Sequence, residues 1–228
     1  MTPLAIKLVQ AFSITKRVVH FYYVHTDGDE NGGRTSVQNI KRIIERITQL
    51  PIETYRVTSD GPSVRGNFER YSDRIVILVR SQSDEWERFT AIKELCHALI
   101  DGEEDYSSEG VETIRELVTN NGWLDDEASA QVRSEQLAER MALELIYPLE
   151  FRRQDMATVE EEGFAAIGVR RGVPVTWVER ALNVDHITAC ESVWKVLGAV
   201  DGALGADPVP HVKPYYRTAD QIVLKEAS

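Results

Sequence analysis

The stretch Asp73-Arg74-Ile75-Val76-Ile77-Leu78-Val79-Arg80 constrains the fold of this chain more than any other. It is an apolar, β-branched run of strand length, bounded by Tyr71-Ser72-Asp73 before it and Ser81-Gln82-Ser83 after it. A helix follows at once. Ser83 is placed to cap it, and Glu85 and Glu87 put carboxylates in its first turn, where the positive end of the helix dipole favours them. Phe89, Ile92, Cys96 and Leu99 then recur at helical spacing and predict a buried stripe. A strand feeding directly into an amphipathic helix buries one face of each against a common core, so the fold class is α+β.

The flanking segments extend that frame. Ser36 opens a helix with Val37, Ile40, Ile43, Ile44 and Ile47 inward, stopped at Pro51. Ile52 to Val57 and Val64 to Tyr71 are strand candidates, split by Ser59-Asp60-Gly61-Pro62. With Ile75 to Val79 they predict a small three-stranded sheet against which the helices sit. Ser134 to Pro148, SEQLAERMALELIYP, is an amphipathic helix with Leu137, Ala138, Met141, Ala142, Leu145 and Ile146 inward. Between these helices, Val111 to Val118 is a further helix candidate. Near the N-terminus, Leu4 to Phe12 suits a short helix, while Val18-Val19 and Phe21-Tyr22-Tyr23 favour a strand over Phe12 to Val24. Thr26 to Gly33 reads as a charged linker. Its Asp27, Asp29 and Asn31 have the spacing of a calcium loop but lack the downstream glutamate. The expected organisation is an N-terminal extension and linker (1–35), a principal domain (36–150), a C-terminal helical segment (151–200) and a Pro/Gly-containing tail (201–228) with an edge-strand candidate at Gln221 to Leu224.

Within the helix after the strand, Lys93-Glu94-Leu95-Cys96-His97 has the spacing of the zinc-protease sequence H-E-x-x-H, with lysine in the first histidine's place. In the intact sequence both histidines reach one metal from the same helix face, and the glutamate handles the proton of the metal-bound water. Glu94 and His97 keep their places. Lysine's ammonium, with a reference pKa of about 10.4, has no lone pair to offer at neutral pH and repels a cation. Two readings of Lys93 stand side by side: its ammonium replaces the metal's charge by pairing with Glu94 or, across two helices, with Glu139, or it snorkels to solvent. Cys96 lies about 100° around the helix from His97 and reads as a small buried thiol.

The phrase Arg88-Phe89-Thr90-Ala91-Ile92-Lys93-Glu94-Leu95-Cys96-His97, followed by a helix running Met141-Ala142 through Leu145-Ile146-Tyr147-Pro148, resembles the ImmA/IrrE family of metallo-endopeptidases. That family shows R-R-F-T-x-A-H-E-L-x-H and then E-A-N-x-F-A-x-x-L-L-x-P. The likeness covers roughly residues 36 to 150 and implies a zincin-like fold. It also implies a regulatory role, in which a DNA-binding repressor is cleaved or otherwise inactivated. Counted back from Pro148, the family's third metal ligand, a glutamate, falls at Leu137, with Glu135 and Glu139 two residues to either side. Two residues are about 200° of helix, so neither carboxylate points where Leu137 points unless the register slips, and Glu135 stays open as a ligand. On the Leu137 register, Lys93 and Leu137 degrade two of three ligand positions and leave His97 as the one good metal ligand.

The expectation that follows is a non-catalytic, metallopeptidase-like protein without a cofactor, binding a protein partner such as a helix-turn-helix repressor. Two alternatives stay open. One is an active zinc endopeptidase using His97 with Glu135, Glu139 or Asp101, and Glu94 as base. The other is an interaction module in which the motif serves only for packing. The 40-residue spacer from His97 to Leu137 is longer than the resemblance implies and reads as an insertion at a cleft mouth.

Charge narrows the partner classes. Across 228 residues, 26 basic against 37 acidic side chains give a net charge of −11, which disfavours nucleic-acid binding and favours a basic protein partner. The two cysteines are too few for a disulfide framework, no signal-peptide pattern opens the chain, and no apolar run is long enough for a membrane, so a cytoplasmic location is expected. Past Pro148, the runs Phe164 to Pro174 and Thr176 to Leu182 have a helix, turn and helix pattern in which Arg170-Arg171 could touch phosphate, although acidic surroundings favour simple packing helices. A third helix spans Ile187 to Val196.

Overall fold

A computed structural model of the protein describes residues 3–26, 35–58, 65–101 and 129–201. The linker with Asp27, Asp29 and Asn31, the turn at Ser59 to Pro62, the helix candidate at 111–118 and the tail with its strand candidate lie outside the described residues. What is described is α+β, a three-stranded mixed sheet with helices around it.

The helices before the sheet are α1 (Pro3–Thr26) and α2 (Val37–Thr48). Ser36 caps α2, its Oγ accepting from Asn39 N at 3.4 Å, and Ile40, Ile43 and Ile44 are buried as the periodicity predicts. Strands β1 (Ile52–Val57), β2 (Gly66–Arg70) and β3 (Ile75–Arg80) follow. β3 lies in the centre, parallel to β1 and antiparallel to β2. Its side chains alternate, with Ile75, Ile77 and Val79 buried toward the helices, at about 1.5–3 kcal/mol each for full burial.

α3 (Asp84–Ile100) leaves β3 after a three-residue turn and crosses over β2 and β3. Glu87 reaches back to accept from Gln82 N at 3.1 Å, so a first-turn carboxylate closes the strand-to-helix corner. Against α3 lies α4 (Ala130–Ile146), capped by Ser129, whose Oγ accepts from Val132 N at 3.3 Å. The sequence expectation placed this start at Ser134, which is instead one turn inside the helix and buried.

The C-terminal helices are α5 (Leu149–Met156), α6 (Val159–Glu162), α7 (Phe164–Arg171), α8 (Val175–Ala181) and α9 (Val184–Asp201). Asp155 ties α5 to α7: it accepts from Arg171 at 2.7 and 2.8 Å, from Arg170 at 3.0 Å and from Tyr147 Oη at 2.8 Å. Arg170 and Arg171, which the helix, turn and helix pattern offered for a phosphate contact, both donate to Asp155 here, and Arg170 also to Glu162. Phe89 of α3 stacks on Trp177 of α8 at 4.7 Å between centroids.

The strand expected over Phe12 to Val24 is corrected: α1 is one continuous 24-residue helix. Leu8, Ala11, Phe12, Thr15, Val18 and Tyr22 are buried at helical spacing against α2, α4 and α9, and Phe12 meets Trp194 edge-on at 5.3 Å. Local β-propensity over Val18 to Tyr23 yields to a three-sided helical contact, the usual outcome where packing and propensity compete. This segment is part of the hydrophobic core. One further side chain joins distant parts of the chain. Arg88 of α3 donates to Thr35 O at 3.2 Å, Gly172 O at 2.6 Å and Arg171 O at 3.2 Å.

Candidate functional site

The residues singled out by the motif meet where α3 crosses α4. Lys93 and His97 are one helical turn apart on α3 and turn toward α4. From α4 they meet Glu135. Lys93 Nζ donates to Glu135 Oε2 at 2.5 Å, and His97 Nε2 lies 3.5 Å from Oε1 of the same carboxylate. Lys93 Nζ is also 3.1 Å from Glu94 Oε1, a contact that is electrostatic because it lacks hydrogen-bond geometry. One carboxylate therefore faces both an ammonium and an imidazole.

The structure places Glu135, rather than Leu137, across from these two side chains. Leu137 is 4% exposed and belongs to the apolar core, while Glu135 holds the position opposite His97. The physical reason lies in the helix itself: Leu137, Met141 and Leu145 repeat every four residues and form one core-facing stripe, so position 137 is not a pocket position. Glu139, the partner considered for Lys93 across the helices, acts on it only at longer range, and burial raises its own pKa. Nor does Lys93 snorkel: its side chain is only 16% exposed.

His97 is fixed from behind. Its Nδ1 is 2.9 Å from Asp101 Oδ2 and 3.2 Å from Ser134 Oγ, Ser134 also donates to Asp101 Oδ1, and the Phe68 ring stacks at 6.0 Å. Serine, histidine and aspartate together suggest a nucleophilic triad, but serine and aspartate here share one ring nitrogen, so no base is left for the hydroxyl. Their role is orientation. With Nδ1 committed, Nε2 is the nitrogen presented to Glu135, the same division of labour by which a carboxylate orients a metal-bound imidazole. Ser134 was not singled out in the sequence, and its signal is weak: it stands one residue before Glu135 in a segment read as a helix start.

Electrostatics follow the geometry. Burial works against the charge on Lys93, but the carboxylates of Glu135 and Glu94 outweigh it and hold its pKa above the ordinary lysine value. His97 behaves alike: burial disfavours the imidazolium, and Asp101 and Glu135 more than compensate, so its pKa is well above 6.5. Glu135 is held below the usual carboxylate range by Lys93 and His97 in spite of burial. Burial raises Glu94, only 2% exposed, despite Lys93 and His97. It raises the buried Cys96 thiol as well.

Glu94 also has a steric boundary. A Cβ on Gly66 of β2 would lie 2.5 Å from Glu94 Oε1 and 2.6 Å from Thr90 Cγ2, so the strand passes directly over this carboxylate. Only a residue without a side chain permits that approach.

As a donor set for zinc, these residues fall short. His97 Nε2 and Glu135 converge, but the third corner holds an ammonium. Among the described residues no group of three or more His, Cys, Asp or Glu side chains could hold a metal ion. Asp101, offered as an unconventional ligand, is occupied on the far ring nitrogen. Among the described residues no helix is long and apolar enough to cross a membrane.

No protein-family model matches the chain, and neither a curated protein nor a solved structure matches it.

Proposed function

We propose that this chain is a non-catalytic, zincin-like relative of the ImmA/IrrE metallopeptidases that regulates by binding a protein partner. A DNA-binding transcriptional repressor is the partner class that the motif resemblance implies. The observation that carries the reading is the ammonium of Lys93 seated between Glu135 and Glu94, beside His97. A protonated lysine supplies positive charge without Lewis acidity, an open coordination position or an activated water. Charge balance of the pocket is thereby kept while the hydrolytic chemistry is given up. In this reading a helix or loop of a regulator docks over the partly exposed Glu135 side of the pocket.

The experiment has two arms. Elemental analysis of tag-free protein purified without chelator is expected to show well under about one zinc per chain. Co-expression with a small basic helix-turn-helix repressor chosen as a candidate partner is expected to give a stable complex in which that protein stays full length. Stoichiometric zinc, or no complex, overturns the reading.

A second reading is favoured by the approach of Glu135 to His97. In it His97 and Glu135 serve as metal ligands and Glu94 as general base of an active zinc endopeptidase. It requires Lys93 to leave the pocket, and its signature is a cleaved repressor in the same co-expression. A third, an interaction module in which the motif only packs, predicts that Glu94 and His97 substitutions leave partner binding unchanged.

A further inference from the structure

Among the described residues β1 forms one edge of the sheet, and its backbone is poised to pair again. Ile75 N donates to Pro51 O and Ser81 N to Val57 O, so the odd-numbered residues of β1 turn their backbone groups toward β3. Ile52, Thr54 and Arg56 turn theirs outward. The Ile52 N–H is already taken by Glu45 Oε1 at 2.8 Å. What the edge offers is the N–H and C=O of Thr54 and Arg56, on either side of Tyr55.

Open edges are ordinarily guarded by charged side chains, lysine above all, by proline or by bulges. β1 reads Ile-Glu-Thr-Tyr-Arg-Val, has no lysine, proline or bulge, and pairs regularly with β3 along its whole length; Glu53 and Arg56 are its two charged residues. Its charges are answered locally: Glu53 lies 3.9 Å from Arg74, and Arg56 lies 2.5 Å from Glu87. On a chain of net charge −11, this edge is a place where a second, equally acidic copy meets balanced charge rather than repulsion. Tyr55 is 50% exposed, the most exposed aromatic side chain among the described residues.

We propose that two copies of the chain associate about a two-fold axis at Tyr55, β1 of each pairing antiparallel with β1 of the other to give one continuous sheet. The register follows from the backbone. Antiparallel partners must both face outward, so Thr54 pairs with Arg56 of the second copy and Arg56 with its Thr54. Tyr55 then meets its own counterpart in the non-hydrogen-bonded position, where cross-strand side chains come closest. The neighbouring register, Thr54 on Thr54, sets Arg56 against Ile52 and forfeits a bond, because Glu45 already holds that N–H. The assembly carries two Lys93 pockets related by the axis, as an isologous dimer must.

The test uses the full chain. Sedimentation equilibrium at micromolar concentrations should give twice the 25.8 kDa chain mass. Thr54→Pro, which removes an outward N–H that β3 does not use, should lose the dimer while circular dichroism is unchanged. Tyr55→Cys should cross-link to a dimer on mild oxidation in high yield, and Glu53→Cys, opposite Val57, at least several-fold less; Cys96 and Cys190 are buried. A monomer at every concentration overturns the proposal, as does a folded Thr54→Pro that stays dimeric. Equal cross-linking at positions 53 and 55 rejects the two-fold register and the proposal with it.

Discussion

Lys93 of α3 and Glu135 of α4 are joined at 2.5 Å across the crossing of their helices, with the Lys93 side chain 16% exposed and that of Glu135 24% exposed. This pair ties the two helices together at the pocket.

Lys93→Ala should therefore cost stability. It leaves Glu135 and Glu94 facing each other with His97 as the one cation beside both among the described residues, and removal of one partner from a mostly buried pair costs about 3 kcal/mol. The urea midpoint at neutral pH should fall without a change in slope. Lys93→Met combined with Glu135→Leu should recover most of the loss, since an apolar replacement removes both charges at once. A single-substitution effect within about 0.5 kcal/mol would place Lys93 among ordinary surface pairs and remove the basis for its role.

Lys93→His should create zinc affinity. A second imidazole one turn from His97, with Glu135 opposite and Glu94 adjacent, completes a three-ligand set on two helices already in contact. Elemental analysis is expected to rise to about one zinc per chain, with a melting temperature that falls on adding chelator. A variant that folds and stays metal-free would show that the helices are wrongly spaced for such a site.

Gly66→Ala should be destabilising by about 1–3 kcal/mol, because its Cβ would overlap Glu94 Oε1 and Thr90 Cγ2 and force the carboxylate to move. The cost should shrink in a Glu94→Ala background, where space is freed. Equal cost in both backgrounds, read from thermal melts, would assign the effect to the strand alone.

Asp155 gives a pH signature. Burial opposes its charge, but hydrogen bonds from Arg171, Tyr147 and Arg170 prevail and lower its pKa. A depressed carboxylate contributes stability that is present above its unfolded pKa of about 3.9 and is lost as pH falls through the folded value. Asp155→Asn should thus be less stable than the wild type by about 3 kcal/mol at pH 7. The gap should close as the solution is acidified below the unfolded pKa. A pH-independent gap would mean that shape, not charge, holds α5 to α7.

Much of this was legible in the sequence. Alternation in Ile75 to Val79, the stripe Phe89, Ile92, Cys96 and Leu99, and the periodic isoleucines of α2 each encode one buried face, and each element lies where its pattern places it. α1 was not, because its β-branched and aromatic residues carry a strand propensity that only distant contacts with α4 and α9 override. The identity of the residue opposite His97 was hidden for a different reason. A two-residue shift along a helix swaps a pocket position for a core position, and the residues after Glu135 match the family phrase too loosely to fix that shift. Asp101 stands only four residues from His97, but the link from Ser134 to Asp101 and to His97 joins positions 33 and 37 residues apart, a distance over which single-helix periodicity carries no information.

The grip of Arg88 on carbonyls of Thr35, Arg171 and Gly172 has a consequence for anyone dissecting this protein. The pocket helix is moored to chain that comes 53 residues before it and 84 residues after it, through one guanidinium. The motif region is therefore not a cassette that can be excised: a truncation ending at Pro148 would strip a mooring from the helix bearing Lys93 and His97, and transplanting that region into another scaffold would carry the letters of the motif without its bearings.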